Sequence, residues 1–190
     1  QMLVGYGFLG AHARGDGSRC AAFQAASAGR ASQVTGAGRR VVVIGDSWSA
    51  GLGLDQPGLS WPARLDGRVH VAGFSGSGFS AGASPCAGVS FAERAGKALR
   101  GGADLVVVQG GLNDVDRSDR EISVGFNRLM RALRAYDVVV VGPARAPDRA
   151  RGVPRVNRLL ASLAAIHRVA YVSTSDLSLS YLDDRLHLTA

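Results

Sequence analysis

The 190-residue sequence predicts an α/β fold, a three-layer, five-stranded parallel sheet with helices on both faces. Three observations predict it. Short runs of β-branched residues, among them Val41–Ile44, Val106–Val108 and Val138–Val141, show no polar alternation and suit strands buried on both faces. Segments with the 3.6-residue apolar period of helices lie between them. The two kinds of segment alternate along the chain, as they do where parallel strands are joined by helical crossovers.

Residues 1–39 read as an N-terminal extension packed on the domain surface, ahead of a domain spanning 40–190. The start, QMLVGYGFLGAH, holds an apolar run, Met2 to Leu9, that is too short to cross a bilayer and has no basic stretch before it. It is read as the remnant of a trimmed signal or anchor, or as a packed strap. Within CAAFQAASAGRASQV a short helix is expected, with Ala22, Phe23 and Ala26 inward. The first strand, Arg40 to Ile44, breaks at Gly45-Asp46-Ser47, and small residues follow. Such a turn either presents Ser47 at the strand's carboxyl end, where ligands bind in open α/β sheets, or merely caps the next helix.

Ser60 to Leu65 fits a helix start, with Pro62 tolerated in the first turn. Arg68 to Gly73 is the second strand, with Val69 and Val71 on one face and His70 on the other. Ser90-x-x-Glu93 is a capping box opening a helix to Arg100, with Phe91, Ala95, Ala98 and Leu99 on its apolar face. Asp104 to Gln109 is the third strand. A second capping box, Ser118-x-x-Glu121, opens a helix that buries Ile122, Phe126, Leu129, Met130 and Leu133. Asp137 to Val141 is the fourth strand. Pro154 to His167 is a helix with Val156, Leu159, Leu160, Leu163 and Ile166 inward, and Val169 to Ser173 is the fifth strand.

Hydrophobic residues make up 46% and charged residues 19%, which places the chain among globular proteins and not disordered ones. The net charge is +7, and all 22 basic residues except Lys97 are arginines. They are scattered, without a basic block or an aromatic-interleaved basic strand, so no nucleic-acid partner is expected. Cys20 precedes the core and Cys86 lies in the loop GASPCAG. Two loop cysteines in a small domain suggest a disulfide and an exported protein. Neither stands in C-x-x-C or beside a histidine, so no redox or metal role is expected. Asp114 and Asp116 lack a third ligand at metal spacing, and Asp114 reads as holding its loop. No metal and no cofactor is expected.

Four segments stand at strand ends or beyond the last strand: Gly45 to Ser47, Ser75 to Gly78, Gly110 to Asp114 and Asp183 to His187. In a parallel sheet the carboxyl ends share one edge, so these segments converge. Together they offer acyl-transfer chemistry. A serine hydroxyl needs a base, and His187 serves if a carboxylate, Asp183 or Asp184, holds its second nitrogen. The oxyanion needs donors, and the Ser47 N–H, a glycine N–H of SGSG and the Asn113 amide supply them. No G-x-S-x-G elbow is present. The run Gly76, Gly78, Gly82 is one residue too long for a dinucleotide fingerprint, and no Walker lysine exists.

In this order the four segments resemble the SGNH hydrolases, the GDSL esterase/lipase family, from about Val41 to Thr189. The resemblance implies their flavodoxin-like fold, with Ser47 of GDS as nucleophile, Gly76 within GFSGSG and Asn113 of GGLND completing the oxyanion hole with Ser47, and Asp184 and His187 as D-x-x-H. Asp184 is three residues before His187, the spacing of a turn that folds a carboxylate back to the imidazole, whereas Asp183 should point to solvent or to a loop N–H. The second block departs from the family pattern, with Val71 near the place where an asparagine often stands, which leaves Gly78 as an alternative to Gly76. Family members usually continue into a helix after the histidine, so more chain is expected beyond Ala190 and the packing of His187 is left open.

The expected function is a serine esterase or deacylase acting on acyl esters of cell-envelope glycans or lipids. An SGNH-type O-acyltransferase and a catalytically idle glycan-binding module are the alternatives. Export to the periplasm, cell envelope or medium is expected, as a monomer, and the positive charge suits a peripheral contact with an anionic envelope. The loops Leu54–Trp61, Phe79–Cys86 and Val115–Asp119 are expected to set selectivity. Because a histidine base must be neutral, activity should rise with pH through roughly 6 to 7.5.

Overall fold

The structure is a computed structural model that describes residues 7–190, and the side chains of its first helix from Asp16 onward. The reading of Met2 to Leu9 therefore lies almost wholly outside the described residues. Val41 to Ile44 are each 3% exposed or less, so the first strand is buried on both faces as its composition requires. That strand, β1 (Arg40–Gly45), joins β2 (Arg68–Gly73), β3 (Leu105–Gln109), β4 (Val138–Val141) and β5 (Ala170–Val172) in one sheet of order β2-β1-β3-β4-β5. All four pairings are parallel.

This strand order reverses direction between β1 and β3. The crevice at their carboxyl ends is the topological switch point, where open α/β sheets bind ligands. Ser47 follows β1 and Asn113 follows β3, so the chain order itself brings both to that crevice.

Three helices cover one face: α3 (Phe91–Ala98), α4 (Asp119–Ala132) and α5 (Val153–His167), counted after α1 (Gly7–Ala31) and the short α2 (Ser47–Ala50). Both capping boxes form, at Ser90 with Glu93 and at Ser118 with Glu121. All five apolar residues expected inward on α4 are buried. On α5 the buried stripe is Val156, Leu160, Leu163 and Ala164, while Ile166, expected inward, is 74% exposed. The opposite face, at Val41, Val43, Val69, Val71 and Val107, is packed by Trp61 and Leu65. The helix expected from Pro62 is a 3₁₀ turn, Trp61–Arg64.

The N-terminal segment departs most from expectation. Its helix is 25 residues long and not short. Ala22 and Ala26 are exposed, and the inward positions are Cys20, Phe23, Ser27 and Arg30. Cys20 is disulfide-bonded to Cys86, as the sequence suggested, and Phe23 meets Phe74 edge-on at 6.3 Å. Arg30, 1% exposed, donates to Ser60 Oγ at 3.2 Å, and Ser60 Oγ donates to the Ser49 carbonyl at 3.0 Å. The helix is thus tied near its middle, at Cys20, to the loop after Gly76 and at its carboxyl end, through Arg30 and Ser60, to α2.

The bridge spans 66 residues, a loop whose closure stabilises the fold by about 4 kcal/mol in the chain-entropy account. Replacing both cysteines by serine should lower the unfolding free energy measured by urea titration by an amount approaching that figure. An unchanged midpoint, or two free thiols in unreduced protein isolated from an oxidising compartment, would contradict the bridge.

Candidate active site

Asp46 is the N-cap of α2, with its Oδ1 accepting from the Trp48 N–H at 2.9 Å. Ser47 is therefore the first helical residue, fixed where β1 ends. Capping and presentation of Ser47, posed as alternatives by the sequence, are the same turn. Ser49, one turn face away, donates to Gln109 Oε1 at 2.7 Å and accepts from the Trp61 indole at 3.2 Å, which locks α2 against β3.

Ser47 Oγ lies 3.1 Å from His187 Nε2, and His187 Nδ1 lies 2.5 Å from Asp184 Oδ2. The residues are 140 positions apart in sequence and in one line in space. Asp184 holds the loop as well as the ring: its Oδ1 accepts from the N–H groups of Leu186 and His187 at 3.0 and 2.9 Å. These bonds, led by the contact with His187, hold its carboxyl down at about 2. It is a carboxylate at any pH where an imidazole is neutral. Asp183 is exposed. A contact that the sequence did not disclose closes the loop over α2: the Trp48 indole N–H donates to the Leu186 carbonyl at 3.0 Å, beside a tilted Tyr181 ring at 6.2 Å.

The second and third segments meet where Asn113 Nδ2 donates to the Ser77 carbonyl at 2.9 Å. A primary amide has two N–H donors, so one remains for a ligand. Gly76 and Gly78 are distinguished by their surroundings. Gly76 has φ +79°, and a Cβ there would meet nothing closer than Ser84 Oγ at 3.8 Å. Gly78 is buried, and a Cβ there would come within 2.5 Å of Asp114 Oδ2. Gly76 is thus the half-buried glycine with open space around it, and Gly78 is packed beneath Asp114. Asp114 does hold the loop, its two oxygens accepting from Phe79 N–H at 3.0 Å and Ser80 N–H at 2.9 Å. Among the described residues no group of three His, Cys, Asp or Glu side chains stands at metal-binding separation.

A model of the GDSL-like lipase/acylhydrolase family matches residues 43–190. The chain belongs to that family. It is an SGNH-type serine hydrolase that acts on ester bonds. No curated protein matches it. Solved structures similar to this hydrolase include a carbohydrate acetylesterase from Sinorhizobium meliloti, at 22% identity over 80% of this chain and 91% of that one, TM-score 0.61. An aryl esterase of M. smegmatis aligns at 19% identity over 80% and 91%, TM-score 0.62. An acetylxylan esterase from Geobacillus stearothermophilus aligns at 18% over 81% and 88%, TM-score 0.60. At these identities the likeness is one of fold.

Beside Ser47 and His187 the hydrolase has a cavity of about 420 Å³ whose apolar wall includes Leu52, Leu54, Leu59, Trp61 and Leu188. Of the three loops expected to set selectivity, the one from Leu54 to Trp61 lines it. Phe79–Cys86 and Val115–Asp119 do not, and the chain after β5, from Ser178 to Ser180, takes their place. His70 and His167 lie away from this cavity: His70 contacts Arg40 on the sheet, and His167 contacts Asn127 between α4 and α5.

Two carboxyls at the site are fully buried, Asp46 and Asp114, and burial pushes each up to about 6. From about 5.5 upward the acids held below their ordinary values, Asp184, Glu93, Asp116 and Glu121, are ionised in folded and unfolded chain alike. The two buried carboxyls then keep protons that the unfolded chain, titrating near 3.8, has lost. Stability therefore falls as pH rises through this window. His70, lowered by burial and by Arg40 and Arg68, has the opposite sign there, one imidazole against two carboxyls. The urea midpoint should fall between about pH 5.5 and 6.5, and a steady rise there would contradict the burial of Asp46 and Asp114 as acids.

Proposed function

We propose that Ser47 is the nucleophile of this esterase, His187 its general base and then acid, and Asp184 the carboxylate that orients His187. The reading rests on one observation, the unbroken line from Asp184 through His187 to Ser47 Oγ. Ser47 Oγ attacks the ester carbonyl carbon as its proton passes to His187 Nε2, and the carbonyl electron pair moves onto oxygen. The N–H groups of Ser47 and Gly76 and the free N–H of Asn113 hold that oxyanion. Collapse expels the alcohol, which takes the proton from His187, and water then repeats the sequence to release the acid. No cofactor enters.

The proposed substrates are acyl esters of glycans, those of the cell envelope among them, with lipid esters as the second class. Support comes from the carbohydrate acetylesterase and acetylxylan esterase among the similar structures. The protein is proposed to work outside the reducing cytoplasm, which the Cys20–Cys86 bridge favours. A panel of chromogenic acyl esters of increasing chain length, run with and without glycan acceptors, tests the reading. Release of free acid, fastest for short chains, is the expected result. Acylated acceptor as main product would make the enzyme an acyltransferase, and no turnover of any ester would leave a binding module.

A further inference from the structure

Arg94 lies near the start of α3, is partly buried, and turns its guanidinium inward onto main-chain carbonyls. Each nitrogen is used. Nε donates to the Val89 carbonyl at 2.8 Å and Nη1 to the Ala72 carbonyl, while Nη2 donates to the Gly45 carbonyl at 2.9 Å and to Ser77 Oγ at 3.0 Å. Phe74 and Phe91 lie 6.0 and 5.6 Å from its central carbon, within reach of a cation–π attraction. Among the described residues no carboxylate forms an ion pair with it. Taking a cation out of water is costly, and four acceptor bonds stand in for the lost hydration.

The acceptors are not arbitrary. Gly45 is two residues before Ser47, and its carbonyl also accepts from the Phe74 N–H at 3.0 Å. Ala72 is the next-to-last residue of β2, just before the chain turns towards Gly76, and Ser77 directly follows Gly76. A guanidinium is a rigid plane with donors at fixed angles. Gly45, Ala72 and Ser77 are therefore held in one frame, on either side of the two backbone N–H groups assigned to the oxyanion. The same cation faces the negative ends of three carbonyl dipoles gathered behind the site, which would otherwise oppose a developing negative charge.

We propose that Arg94 is the positioning residue of the oxyanion site, fixing the Ser47 and Gly76 N–H groups relative to each other through Gly45, Ala72 and Ser77. This rests on the assignment of Ser47, Gly76 and Asn113 above. Arg94 touches no substrate and acts only through these main-chain groups.

The test compares Arg94→Met, of similar length but without charge or donors, and Arg94→Lys, which keeps the charge but not the fork. Competent sites are counted by exhaustive phosphonate titration, and kcat and KM for a chromogenic acetyl ester are expressed per titrated site. Loss of one oxyanion donor costs ~10²–10³ in turnover, so Arg94→Met should lose about 10²-fold in kcat per titrated site, with KM within about threefold. Arg94→Lys should lose about tenfold, since an ammonium cannot bond Gly45, Ala72 and Ser77 together. A residue that only stabilised the fold would lower the number of titratable sites and leave kcat per site unchanged, and that result overturns the proposal. If Arg94→Met does not fold, Arg94→Lys with wild-type kcat per site overturns it equally. Ser47→Ala in the same assay separates the two layers: full turnover there would refute the nucleophile itself, whereas normal Arg94 variants beside a dead Ser47→Ala refute only the role of Arg94.

Discussion

Ser47→Ala should abolish ester turnover, with a loss on the order of 10⁶ in kcat. The side chain it removes has His187 Nε2 as its partner at 3.1 Å, and among the described residues it makes no other hydrogen bond. Ala is also the best helix former, and position 47 is the first residue of α2, so the fold should be unaffected. The expected result is thus a protein with an unchanged urea midpoint and no measurable esterase activity. A variant that keeps a tenth of its turnover would place the nucleophile elsewhere.

Asp184→Asn should also be severely damaging, with a loss of up to about 10⁴ in turnover. The reason is tautomeric. Asn retains an oxygen that still accepts from the N–H groups of Leu186 and His187, so the loop keeps its shape. Its amide nitrogen then faces His187 Nδ1 and donates to it. The ring proton is driven to Nε2, towards Ser47, where the base is needed bare. Asp183→Asn changes an exposed side chain and should leave kcat within about twofold, as surface substitutions usually do. KM should change little in either variant. Equal losses, or a larger one at Asp183, would mean that this loop closes over Ser47 differently.

The strands and the four converging segments were legible because each leaves a local trace. A valine run declares a two-faced strand, and the GDS, GGLND and DDRLH turns sit where the strand pattern stops. The first helix was not legible in full. Residues 7–31 include five glycines, each unfavourable in a helix, and its inward stripe is Cys20, Phe23, Ser27 and Arg30 and not a run of leucines. What orders it is tertiary: the bridge to Cys86, the Phe23–Phe74 contact and the Arg30–Ser60 bond. Ile166 fails for a related reason. At about 100° per residue it stands roughly 200° from Ala164, and it is the small Ala164 that is buried. Trp48 and Arg94 escaped notice because their partners are main-chain carbonyls of distant segments, Leu186 for the indole and Gly45 and Ala72 for the guanidinium. A carbonyl has no signature in a sequence.

Ser47 is proposed to carry the acyl group of the covalent intermediate on its Oγ. The most direct measurement is mass spectrometry of the intact protein after treatment with an alkyl phosphonate, followed by peptide mapping. One phosphonyl group per chain, on Ser47, with labelling abolished in His187→Ala, is the predicted result. A label on Ser49 or Ser75, or labelling that proceeds as fast without His187, would contradict it.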